Sequence, residues 1–348
     1  MSLDELLGSA KALVDGGFTP SCQLAVARDG DVIAFETFGA ATNDNRFCCF
    51  SATKPIVASL VWRLIADGVV EVQRPVADYV DEFAANGLDA VTVEQVMLHT
   101  AGFPNASMNA VEGADPTRRR KQFTTWTLEW EPGTRFEYHA GSAHWVLVDI
   151  VERVTGDDFR DALEQRVCAP LGLPRLLGIA PGDQGDVVDE VPCGNPAAGE
   201  LVELMRFNEP AVRAAGVPGG GGTLTAATMA RFYQALLHNP GGLWDAAVLD
   251  DAKTNVRCRF DDPLMSVPSN RTLGLVLAGD DGLHQFRYGM FGADNSPGTF
   301  GHSGACCQVA WADPDTGVSF AFVKNGLDPD MFADAVRVLP LSNLAATL

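Results

Sequence analysis

The stretch Phe50-Ser51-Ala52-Thr53-Lys54-Pro55 decides how this chain is read. After it, Ile56, Val57, Leu60, Val61, Leu64 and Ile65 recur at helical spacing, and Gly68 supplies a stop. Proline is tolerated in the first turn of a helix but not in its interior, so the helix begins close to Ser51. Ser51 and Lys54 are three apart and therefore share one face of the opening turn. A serine placed there loses its proton more easily. The helix N-terminus favours developing negative charge, and a desolvated lysine with a lowered pKa can accept the proton. Taken alone, Ser-x-x-Lys reads as a capping serine beside an exposed lysine; the surrounding elements decide the matter.

Upstream, Gln23-Leu-Ala-Val-Ala-Arg28 and Asp31-Val-Ile-Ala-Phe-Glu36 are strand-like runs joined at Asp29-Gly30, a hairpin signal. A second hairpin lies near the other end, Gln308 to Ala312 and Val318 to Val323 across Asp313-Pro-Asp-Thr-Gly317, followed by helix-like spacing from Pro329 to Leu339. Between them helical periods dominate. Thr92-Val-Glu-Gln95 is a capping-box pattern. Ala143 to Thr155 reads as a helix stopped at Gly156, Asp157 as the cap of a helix through Val167, and Thr225 as the cap of one ending near Asn239. Strands at both ends and helices between predict one sheet built from both termini with a helical unit inserted. The subdomains fall at approximately 1–75 with 215–348, and 76–214. The run Gly219 to Gly222 lacks a phosphate-loop ending and reads as a close-approach loop. Arg118-Arg119-Arg120-Lys121 reads as a solvated loop face.

The chain has 348 residues, a length that suggests about two structural units. Its 25 basic and 45 acidic side chains give a net charge of −20, which argues against nucleic-acid and anionic-membrane partners. No stretch approaches the ~18 apolar residues of a membrane span. Eight cysteines without an export signal read as reduced thiols in a cytoplasmic protein. No His/Cys/Asp cluster has metal-ligand spacing, so neither metal nor cofactor is expected.

Three further segments give the Ser-x-x-Lys its context. These are Thr92-Val-Glu-Gln-Val-Met-Leu-His-Thr-Ala-Gly-Phe-Pro104, then Pro132-Gly133 leading to Phe136-Glu-Tyr138-His139-Ala140, then Phe300-Gly-His302-Ser303-Gly304. With Ser51-x-x-Lys54, and in this order, they resemble the serine β-lactamase and penicillin-binding-protein superfamily, in its class C-like branch and most of all the family VIII carboxylesterases. The resemblance spans essentially the whole chain and implies an α/β fold of the β-lactamase/DD-peptidase kind. It also implies a small-molecule ester substrate. Ser51 would be the acyl-enzyme nucleophile, Lys54 its activating partner and Tyr138 the general base. The backbone N–H groups of Ser51 and Ala305 would form the oxyanion hole, with His302, Ser303 and Gly304 edging the substrate.

Departures from the family pattern narrow the substrate. Ala140 stands where the family's Tyr box has Asn or Ser, which removes a polar contact to the lysine or to an acylamido group. His302 replaces the lysine that gives a lactam or peptide carboxylate a permanent cation, a contact of roughly 1.5–3 kcal/mol. The expectation is therefore an esterase for short-chain esters. The alternatives are a β-lactamase, a D-amino-acid peptidase or an acyltransferase on the same fold, and a catalytically silent binding protein. Counting back from Glu152 lengthens the helix after the box by one residue, which leaves His139 or His144 as alternatives to Tyr138. His99 otherwise reads as a turn bond and His144 as a satisfied helix-face histidine. Trp126, Trp130, Trp145 and Trp311 read as core, with an acyl-pocket wall as the other option.

Overall fold

Both chain ends build the same sheet. The computed structural model describes residues 2–194, 196–197, 199 and 201–348. Among these, the principal sheet has strands β1 (Ser21–Arg28), β2 (Asp31–Gly39), β3 (Val276–Leu277), β4 (Phe300–Gly301), β5 (Val309–Ala312) and β6 (Val318–Lys324). Their order is β2-β1-β6-β5-β4-β3, antiparallel throughout. The β1–β2 turn places Asp29 and Gly30 at φ 53° and 87°, the paired positive values of a type I′ turn.

The helices that frame the sheet and the site are α1 (Leu3–Asp15), α2 (Lys54–Ala66), α3 (Pro116–Phe123), α4 (Ala143–Thr155), α5 (Ala226–His238) and α6 (Met331–Ala345). Strand β1 is buried except at its last residue because helices cover both faces. Ala25 and Ala27 join the core shared with α5, while Cys22, Leu24 and Val26 join the one built with α1 and α6. Helix α2 is apolar nearly all round and lies inside the larger core, the expected setting for such a helix. Two indoles fix it. Trp62 Nε1 donates to Leu273 O at 2.7 Å, and Trp244 Nε1 donates to Ser59 O at 2.9 Å. The N-terminus of α2, and with it Lys54, is thereby held to the frame.

Thr92, Thr225 and Gly156 cap as their residue types require. Two readings are corrected. Asp158, not Asp157, caps the helix Phe159–Leu163, which widens into a π-helical turn over Glu164–Cys168 and so does carry helical conformation through Val167. The basic run is not a solvated loop: it is the body of α3, capped by Asp115. Arg119 is fully buried, donating to Asp149 at 2.8 Å, to Glu152 and to Gly113 O at 2.8 Å, while Arg120 reaches Asp149 at 3.1 Å. Asp149 and Glu152, one turn apart on α4, supply the carboxylates that let this charge be buried.

Removing one member of a buried ion pair leaves the other uncompensated, at a cost of about 3–5 kcal/mol. Arg119→Met should therefore lower stability by about 3 kcal/mol in urea unfolding. A loss below about 1 kcal/mol, the level of an exposed pair, would mean that this cluster does not hold α3 to α4.

Candidate active site

Ser51 sits in a tight 3₁₀ turn, Phe50–Thr53, that runs straight into α2. Phe50, just before it, is held at φ 42°, an uncommon conformation for a non-glycine residue and one that accumulates at functional turns. The turn is clamped from inside: Thr53 Oγ1 donates to Phe50 O at 2.6 Å and accepts from Gly222 N at 2.8 Å. A Cβ on Gly222 would come 2.6 Å from Thr53 Oγ1, and one on Gly219 would come 3.2 Å from Lys54 Nζ. The glycine run is thus a close-approach loop, as its sequence predicts.

Lys54 is 1% exposed. Its Nζ donates to Gly219 O at 2.6 Å and to Ala140 O at 3.2 Å, and lies 3.2 Å from Ser51 Oγ. Burial, then the charge of Arg271, brings its pKa down to about 7. Carbonyls only accept, so in the neutral amine both N–H groups go to Gly219 and Ala140. The lone pair is then left for the Ser51 hydroxyl. With alanine at position 140 the lysine still has a contact there, made by the backbone carbonyl.

The structure brings Tyr138 to this pair. Its ring centroid lies 5.0 Å from Lys54 Nζ and its phenol faces Ser51, with no hydrogen-bond partner among the described residues. Burial pushes the phenol up to about 12, while Arg271 and Ser51 pull the other way. Backbone bonds fix the segment: Gly133 N donates to Thr100 O at 2.7 Å and Glu137 N to His99 O at 3.2 Å. His139 is not the nearest group to the serine. Its Nε2 accepts from Phe103 N at 3.1 Å, so Nδ1 donates to Glu137 O at 2.6 Å, and burial takes its pKa down to about 4. His99 makes its turn bond, accepting at Nδ1 from His139 N at 3.2 Å. His144 corrects its reading: it is buried beside Lys54, and neither ring nitrogen has a partner among the described residues.

Across from Ser51, His302 N donates to Ala310 O at 3.0 Å and Ser303 N to Tyr288 O at 2.5 Å. Gly304 packs against the Ser51 turn so closely that a Cβ would lie 2.2 Å from Cys49 O. Ala305 follows it at the cavity wall. That cavity, about 510 Å³, has Ser51, Tyr138 and Ser303 on its lining and walls of Met108, Trp145, Phe207, Val217, Met265 and Met290. Of the four tryptophans, only Trp145 reaches it; Trp126 and Trp311 are core.

The sequence reading missed Arg271. It is 2% exposed, and its Nη1 donates to His302 Nε2 at 2.8 Å. The reading that His302 leaves the site without a permanent cation is corrected to this extent: a guanidinium stands behind the histidine. It does not line the cavity, because Tyr138 and Tyr288 stand in front of it. The Ser-Asn-Arg-Thr segment around Arg271 carries no motif, so only the fold could reveal it.

Fold and site together define a serine hydrolase. The chain belongs to the Beta-lactamase family, whose model matches residues 10–342. It is 28% identical over 318 residues to "Esterase/beta-lactamase LipL" of Mycobacterium tuberculosis, an alignment covering 80% of this chain and 68% of that one. It is also 28% identical to "Esterase EstB" of Burkholderia gladioli, covering 67% of this chain and 71% of the relative. Among solved structures, a family VIII carboxylesterase superposes with a TM-score of 0.81 at 23% identity, covering 98% and 97% of the two chains, a likeness of fold.

The chain has five lysines, Lys11, Lys54, Lys121, Lys253 and Lys324, so lysine side-chain NMR resolves them individually. A Lys54→Met variant assigns the signal. Lys54 should titrate near pH 7; titration near the ordinary lysine value of about 10.4 would contradict the geometry described.

Proposed function

We propose that this chain hydrolyses neutral carboxylic esters through an acyl-enzyme on Ser51. One observation carries the reading: a buried Lys54 amine whose two hydrogens are taken by carbonyls and whose remaining contact is Ser51 Oγ. That amine takes the Ser51 proton as Oγ attacks the ester carbonyl. The backbone N–H groups of Ser51 and Ala305 hold the oxyanion, a contribution of about 3 kcal/mol for a single donor. Tyr138 relays the proton from Lys54 to the departing alkoxide, so the alcohol leaves neutral and the acyl group stays on Ser51. Water then enters along the same route, giving its proton to the couple and releasing the acid as Ser51 regains its own. With the amine near 7 and the phenol near 12, Lys54 is the base at neutral pH and Tyr138 the relay. This shifts toward the lysine a role that the family resemblance gave to the tyrosine.

The substrate is small, uncharged and apolar on its acyl side. His302 is held neutral, its pKa well below the ordinary value through burial, then Arg271 and Lys54. His302, Ser303 and Gly304 edge the substrate without presenting a cation to it. Four of the chain's eight methionines (Met108, Met265, Met290 and Met331) line the cavity, giving walls that adapt to acyl groups of different shape. A lactam or peptide carboxylate finds no cation at position 302, and the arginine on the cavity lining, Arg206, is already shared between Glu203 and Glu209 at 3.5 Å each. Eight free cysteines suit a reducing compartment, and we place the protein in the cytoplasm.

Two results test this. Ser51→Ala should fold and lose essentially all turnover, by up to about six decades in kcat; folded variant retaining more than a few per cent would refute the nucleophile. For wild type, kcat/KM on p-nitrophenyl butyrate should exceed that on benzylpenicillin by at least about two decades. Comparable values would promote the β-lactamase alternative.

A further inference from the structure

The buried guanidinium of Arg271 is more than a loop anchor. Its backbone is already pinned, exchanging hydrogen bonds with Cys258 at 3.0 and 3.1 Å and accepting from Arg257 N at 2.9 Å. Its side chain spends only one hydrogen bond, on His302, and leaves Nε and Nη2 without a partner among the described residues. A purely structural arginine at 2% exposure would have these groups satisfied, since buried donors without acceptors are costly. What surrounds it instead is aromatic: the rings of Phe136, Tyr138 and Tyr288 stand 5.4, 5.2 and 5.3 Å from its central carbon. Tyr138 and Tyr288 are themselves stacked, 4.9 Å between centroids.

We propose that Arg271 is a positioning residue of the hydrolysis: its guanidinium, caged by three rings and bonded to His302, supplies the fixed positive charge that keeps the Lys54–Tyr138 couple in its proton-accepting form. The inference rests on the ester-hydrolysis reading of Ser51. The charge acts through the Tyr138 face, since arginine stays protonated and the ring separates it from the cavity. Its hydrogen bond acts through His302. Because Nη1 can only donate, His302 Nε2 accepts, and Nδ1 donates to Ser303 O at 2.7 Å. The segment after β4 that carries Ser303, Gly304 and Ala305 is thus braced from behind by a neutral histidine.

The signs follow from the groups that face this charge. Around Arg271 stand Cys258, Asp262, Tyr138, Tyr288, His99 and His302; around Lys54 stand Tyr138, His99, His144, His302 and Arg271 itself. Asp262, buried and bonded to the backbone of Leu264, is the carboxylate among them and opposes Arg271 at Tyr138. The guanidinium disfavours a proton on Lys54 and favours ionisation of Tyr138. Removing the charge must therefore move the acid limb of the pH–rate profile, which Lys54 sets, to higher pH.

The test is kcat/KM for p-nitrophenyl butyrate from about pH 5 to about pH 10 in wild type, Arg271→Gln, Arg271→Lys and Arg271→Met. Glutamine keeps a donor for His302 without the charge, and lysine keeps the charge without the fork. We expect Arg271→Gln to shift the acid limb alkaline by about one pH unit, with Arg271→Lys restoring it to within a few tenths. A folded Arg271→Gln enzyme whose limb coincides with wild type, whatever its overall rate, overturns the inference. Should Arg271→Gln fail to fold, Arg271→Met, whose apolar side chain suits the aromatic cage, decides: a limb moved to higher pH supports the field, and an unmoved limb overturns it. Fluorophosphonate labelling of wild type separates the two readings. Ser51 left unlabelled removes the ester reading, whereas labelled Ser51 with unmoved limbs removes only the role of Arg271.

Discussion

The buried amine of Lys54 is the constraint from which the rest of the site follows. An ammonium in this position is deprived of water and has a guanidinium nearby, so near neutral pH it gives up its proton. A neutral amine with two hydrogens has two carbonyls to satisfy it, Gly219 and Ala140, from segments far apart in the chain. Each has to approach closely, which is why position 219 has no Cβ to spare. Helix α2, locked into the core by Trp62 and Trp244, keeps the amine from reaching solvent to recover its charge.

The charge pattern around that amine contrasts with the molecule as a whole. The protein carries a net −20, yet its site has a buried arginine and four buried histidines, His99, His139, His144 and His302. All four are held below their ordinary pKa by burial. Two of them act as neutral, shape-fixing donors and acceptors: His139 and His302 each accept on one nitrogen from N–H groups and donate on the other to a carbonyl. The polar elements of the site are thus mostly uncharged, the condition under which, on the proposed mechanism, a single movable proton on the Lys54–Tyr138 couple would govern reactivity.

Much of this was legible in the sequence because it depends on local chemistry. A proline that must start a helix, a Ser three residues before a Lys, an Asp-Gly turn and a Thr-x-x-Gln box each specify a conformation by themselves. The order of the Ser-x-x-Lys, Tyr and His-Ser-Gly segments then carried the fold. What the sequence concealed were partnerships across long separations. Arg119 read as solvated because Asp149 and Glu152 lie 30 and 33 residues away, on what looked like an apolar helix. The contact from position 140 to Lys54 runs through a backbone carbonyl, which no side-chain pattern reports. Arg271 lies in a segment with no motif, 31 residues before the histidine it touches. Its importance comes from three aromatic rings that only the fold assembles.

The central claim is a covalent intermediate on Ser51, and the most direct measurement is to catch it. Turnover of p-nitrophenyl butyrate can be quenched with acid within the first turnover and the protein digested and mapped by mass spectrometry. The account predicts a butyryl group on the peptide containing Ser51, formed with a burst of p-nitrophenol before the steady state. A butyryl group on another residue, or a burst-free reaction that leaves the protein unmodified at every quench time, would contradict it.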